Sequence, residues 1–162
     1  MDIYDRIEQD HDTLRTMLTR IADAPEDDKA GRRMLFEQLQ RELWAHHKVE
    51  ETVFYAAIVN ARATRQEAAE GLNEHHMIDT LLGEVNLMPV DGTAWKAKVQ
   101  VLDELVRHHL DEEEDELFKE ARDVLPDEKA QELAKQFDER KAHAVAALAP
   151  VKAESGRSQS AA

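Results

Sequence analysis

The chain has 162 residues, no cysteine, and 35 acidic against 21 basic side chains, for a formal net charge of −14. That length makes one domain whose core needs no disulfide support. Without thiols there are no disulfide scaffolds, thiolate zinc sites, iron–sulfur clusters or cysteine nucleophiles, and the acidity argues against a phosphate-binding face for DNA or RNA.

Glycines and prolines are few and fall in clusters, with Pro25, Pro89, Gly92, Pro126 and Pro150 marking breaks between runs rich in Ala, Leu, Glu, Lys and Arg. The spacing predicts helices over 3–22, 29–61, 65–87, 93–124 and 127–148. The expected architecture is all-α: an up-down four-helix bundle with an additional C-terminal helix, one domain over 1–150, and a disordered tail at 151–162. Thr64 is the one cap offered to the third helix, whereas Asp91, Thr93 and Asp127 are better start signals. The first residues lack an apolar export core, and no run reaches the roughly 18 apolar residues of a membrane span, so a soluble cytoplasmic protein is expected.

Eight histidines are present, six of them in His-His pairs at 46–47, 75–76 and 108–109. In the first helix the stripe Ile7, His11, Leu14, Leu18, Ile21 carries a histidine where an apolar residue belongs. In the second, Phe36, Leu39, Leu43, His46, Glu50, Val53 is interrupted twice, and residues four apart on a helix share a face. In the third, the frame 75, 78, 82, 85 sets His75 inside with Ile78, Leu82 and Val85. The fourth repeats the second, with Trp95, Val99, Leu102 and Val106 leading into His109 and Glu113. The fifth carries His143, outside the repeated pattern, as a surface or packing residue.

The segments HHKVEE and HHLDEE admit a second register, pairing His47 with Glu51 and His108 with Glu112. Matching His46 to His109 superposes Phe54-Tyr55 on Leu117-Phe118 and favours His46/Glu50 and His109/Glu113. The other four remain candidates for supporting or alternative ligands. Trp44, Trp95, Phe54 and Phe118 read as core, and the run DEEEDE at 111–116 as a solvated face from which Glu113 alone turns inward.

At a 1.5 Å rise per residue, the four helices bring these groups to one level within about two turns. An unpaired buried carboxylate costs several kcal/mol, which a metal centre removes. Two carboxylates with at least four imidazoles exceed one tetrahedral zinc and are too nitrogen-rich for calcium or magnesium, so two first-row ions such as iron fit best. A ferritin-like centre would need Glu-x-x-His on two helices, and only Glu8-x-x-His11 is present; a zinc protease would need His-Glu-x-x-His, which is absent.

DHDTL, HHKVEETVFY, NEHHMIDTLL and HHLDEEEDELF, in this order over 1–124, resemble the four signature segments of the hemerythrin-like, or HHE cation-binding, domain. The resemblance is nearest to small prokaryotic single-domain members. It implies a four-helix bundle around two non-haem iron ions with an oxo or hydroxo bridge, and ligand roles for His11, His46, Glu50, His75, His109 and Glu113. It also implies handling of O2, NO or peroxide, with iron buffering or iron and oxygen sensing as the alternative. The expected partner is a small diatomic or peroxide ligand, with no nucleic acid or membrane. Two positions depart from the pattern: Ala56 and Lys119 stand where many members have proline, so these helices are expected to run on. Asp79 stands one turn after His75, where oxygen carriers have a second histidine, which leaves the fifth nitrogen to His76, His47 or His108.

Overall fold

The computed structural model describes residues 1–148; the tail expected at 151–162 lies outside them. Helix α1 spans Ile3–Asp23 and starts in a capping box, in which Asp2 accepts from the Asp5 amide at 3.0 Å and Asp5 from the Asp2 amide at 3.2 Å. Helix α2 runs over 29–58 and begins at the cap Asp28, whose side chain accepts from the Gly31 amide at 2.9 Å. Helix α3 is Arg65–Asn86, α4 runs over 92–124, and α5 is Asp127–Leu148. The described residues contain no strand.

Thr64 does not cap α3 as the sequence predicts. Its hydroxyl donates backwards to the Ile58 carbonyl, closing the C-terminus of α2. Asp91 precedes α4 but spends its carboxylate on Lys29 at 2.8 Å rather than on the helix amides. At the proline-free positions the chain does run on, for two residues past Ala56 and five past Lys119.

Each of α2 and α4 contains a π-helical turn, Glu51–Tyr55 and Glu113–Leu117. A π turn admits one extra residue and rotates the rest of the helix about its axis. At and just after these turns adjacent bulky residues, Phe54 with Tyr55 and Leu117 with Phe118, are all buried.

Helices α1 to α4 form a closed ring in which α1 touches α2 and α4, and α3 touches α2 and α4; α5 lies against α1 and α2. Their core is in two parts. One apolar cluster holds Ile7, Val49, Phe54, Phe118 and Phe137, the other Leu14, Leu43, Ile78, Leu102 and Val106. Between them lies a buried polar layer, because the interrupted stripes of all four helices are interrupted at the same height. Trp95 is in the core, whereas Trp44, expected there, is 37% exposed. It edges a surface cavity of about 350 Å³ between α2, α3 and α5 that reaches His47, Glu51 and Asp79.

A candidate metal centre between four helices

The polar layer consists of His11 from α1, His46, His47 and Glu50 from α2, His75 from α3, and His109 and Glu113 from α4, all buried. All six residues picked out in the sequence meet there, in the register favoured by the flanking residues. The seventh, His47, is one of the three candidates for the fifth nitrogen. His76 is exposed, and His108 is 60% exposed and pairs with Glu112 away from the centre. His47 stacks on His75 with ring centroids 4.0 Å apart.

The donor atoms fall into two groups that share the glutamates. In one, ligand atoms of His11, His46, Glu50 and Glu113 lie within 4.8 Å of one another; the same limit holds for Glu50, His75, His109 and Glu113, and for His47, His75 and His109. Glu50 turns Oε1 to His46 Nε2 at 3.1 Å and Oε2 to His75 Nε2 at 3.4 Å, one oxygen to each group. Glu113 Oε2 lies 3.3 Å from His11 Nε2 and 3.6 Å from His109 Nε2. Its other oxygen accepts from the Tyr55 hydroxyl. That hydroxyl fits because residue 71 is glycine: a Cβ there would stand 3.0 Å from Tyr55 Cε1 and Cζ and closer still to the oxygen.

Every histidine of the layer has its own carboxylate on Nδ1. Glu114 holds His11 at 2.7 Å, Asp10 holds His46 at 3.1 Å, Asp79 holds His47 at 2.9 Å, Glu51 holds His75 at 3.1 Å and Glu74 holds His109 at 3.2 Å. A carboxylate there fixes the tautomer with its proton on Nδ1 and leaves Nε2 as a lone pair facing inward. The sequence places Glu114 on the solvated face with the rest of its run, and only Glu113 inside. The structure buries Glu113 and half-buries Glu114, which bridges His11 and Arg15. Asp79, one turn after His75, holds His47.

The arrangement calls for positive charge. His11 Nε2, His46 Nε2, His47 Nε2, both oxygens of Glu50 and Oε2 of Glu113 are buried with no hydrogen-bond partner in the protein. His75 Nε2 and His109 Nε2 face each other at 3.0 Å. Burial by itself would lower a histidine and raise a carboxyl group. For His75, the nearby carboxylates of Glu50 and Glu51 outweigh burial and bring it up to about 10; His11 is pushed well above its ordinary value, against its burial, by Glu113, Glu114 and Glu50. Glu50 is held well below the carboxylate range by His46, His11 and His75 despite its burial. His47 goes the other way: burial and the surrounding histidines keep it neutral. A cage of this kind holds protons or a cation. Its imidazole and carboxylate donors fit first-row transition ions.

The fold and site together define a helical bundle with a buried His/Glu cation centre. The sequence profile described as the hemerythrin HHE cation binding domain matches residues 2–121, and the chain belongs to that family. A crystal structure of a hemerythrin HHE cation binding domain-containing protein from Mycobacterium kansasii superposes with a TM-score of 0.81 at 21% identity, covering 91% of this chain and 89% of that one. It shares the fold. A protein from a Nostoc species named DNA nickase is 26% identical over 137 residues, 85% of this chain and 38% of that protein. The chain thus spans well under half the length of that relative. No described helix is long and apolar enough to cross a membrane.

Proposed function

We propose that this protein is a non-haem di-iron protein that binds or processes O2, NO or peroxide. The observation that carries the reading is the convergence of four imidazoles, His11, His46, His75 and His109, on two shared, buried glutamates, with His47 beside His75 and His109 and most of the inward-facing atoms lacking a hydrogen-bond partner. In this reading His11 and His46 hold one ion, His47, His75 and His109 hold the other, and Glu50 and Glu113 serve both. An iron pair would supply redox equivalents and Lewis acidity. The chain's own residues orient and insulate it. Five carboxylates fix the imidazoles, the two apolar clusters exclude bulk water, and Tyr55 holds a proton at Glu113. Burial and the charges of Glu113 and Glu50 push the Tyr55 hydroxyl well above the ordinary phenol value, so it stays protonated. The two-histidine position has one protein donor fewer, and that is where a small ligand is accommodated.

The test is metal analysis together with absorption spectra before and after addition of O2, NO and peroxide. About two irons per chain with near-ultraviolet charge-transfer bands that respond to one of these ligands support the reading; no bound iron overturns it. Catalytic loss of peroxide would make the protein an enzyme, a stable adduct a binder. Iron buffering or sensing is the second reading, favoured by the demand of the carboxylate cage for positive charge, which ties bundle stability to occupancy. Equal thermal stability with and without metal would remove it.

A further inference from the structure

The five carboxylates that hold the histidines are not alike in their own partners. On the two-histidine side both are ion-paired. Asp10 accepts from Lys141, and from Arg6 at 2.7 Å; Glu114 accepts from Arg15 at 2.9 Å. On the three-histidine side, Glu51, Asp79 and Glu74 have no Lys or Arg within ion-pair distance among the described residues. Lys48 lines the cavity shared by Glu51 and Asp79 but pairs with neither.

Lys141 is buried, belongs to α5, and lies outside the residues the family profile spans. It reaches between α1 and α2 to Asp10, and to Glu42 at 2.6 Å. It therefore joins the helix added to the bundle to the histidine His46.

A carboxylate that accepts from Nδ1 raises the basicity of Nε2 and strengthens its bond to a metal. One already neutralised by an ammonium or guanidinium gives less of that effect, and the added cation also repels a metal ion across the short chain of contacts. Both act in one direction, and the histidine count acts with them.

We propose that the two metal positions are unequal. The position held by His47, His75 and His109 fills first and empties last, and Lys141 and Arg15 hold down the affinity of the position held by His11 and His46. The proposal rests on the two-ion reading above. It describes a protein that keeps one ion firmly and exchanges the second.

The experiment is chelator competition against protein loaded with Co2+, followed by visible absorption and metal analysis. The expected result is release in two steps. His11→Ala should keep one tightly held ion, and His47→Ala should lose the tight step. Lys141→Met and Arg15→Gln should each tighten the weaker step, by about tenfold on the scale of outer-layer changes at metal sites, and leave the tight step in place. Lys141→Arg should behave as the wild type. Damage to the fold alone would weaken binding, so the sign separates the proposed role from a structural one; Arg15, which is half-buried rather than in the core, provides the test if Lys141→Met does not fold. Release in a single step, or variants whose weaker step is unchanged or looser, overturns the proposal. Loaded wild type that holds fewer than two ions per chain overturns the two-ion reading as well.

Discussion

His47 and Asp79 are bonded across two helices, ring Nδ1 to Oδ1 at 2.9 Å. The carboxylate, one turn after His75 on α3, thus positions a histidine brought by α2. If His47 provides a metal donor, His47→Ala lowers metal content and Asp79→Asn weakens affinity by about 10–100-fold, while His76→Ala changes neither. The double variant His47→Ala with Asp79→His, which restores a histidine one turn after His75, should recover metal lost in the single one. Metal analysis after chelator dialysis checks all four.

Gly71 makes room for the Tyr55 hydroxyl. In an ordinary helix interior Gly→Ala stabilises by about 0.5–1 kcal/mol. Here Gly71→Ala should instead cost about 1–3 kcal/mol, the usual range for overpacking, because the new methyl group displaces the ring that holds Glu113. Thermal denaturation gives the sign, and Tyr55→Phe should alter the spectrum of the loaded protein through Glu113 while changing stability less.

Metal binding should release protons. In the metal-free protein His75 titrates at about 10, and His11 well above its ordinary value, so both carry protons at neutral pH that a metal at Nε2 must displace. Affinity should therefore rise with pH by at least about tenfold per unit between about pH 7 and about pH 9. Calorimetry in buffers of differing ionisation enthalpy measures the protons directly. The same groups set the stability of the metal-free chain. A histidine raised in the folded state stabilises fully below its unfolded value and less as pH climbs to its folded one, so metal-free protein should weaken as pH approaches about 10.

A net charge of −14 leaves little scope for counterion release from a duplex. The relative named DNA nickase is matched over only 38% of its length. The chain should not retard a duplex of about 30 base pairs in gel-shift experiments even at about 50 mM salt, and retardation would reopen the question.

Periodicity carried much of this protein's organisation. The stripe interruptions at His11, His46, Glu50, His75, His109 and Glu113 are local properties of single helices, since residues three and four apart share a face wherever the helix is placed. The helical class and the level of the polar layer came from the same rule and from the positions of the breaks.

Three things needed the tertiary structure. The burial of His47, with His76 and His108 left exposed, depends on neighbours: α2 is covered on both flanks, by Phe137 of α5 near His46 and by His75 of α3 against His47, so two adjacent residues can be buried. His76 and His108 lie on uncovered flanks of α3 and α4. The π turns shift the phase of α2 and α4 beyond the glutamates, and a fixed stripe carries no mark of that beyond the paired bulky residues. The carboxylates on the histidines come from other helices, up to 103 residues away in sequence. Spacing within one helix determines which residues share a face, and only packing between helices decides which partners that face meets.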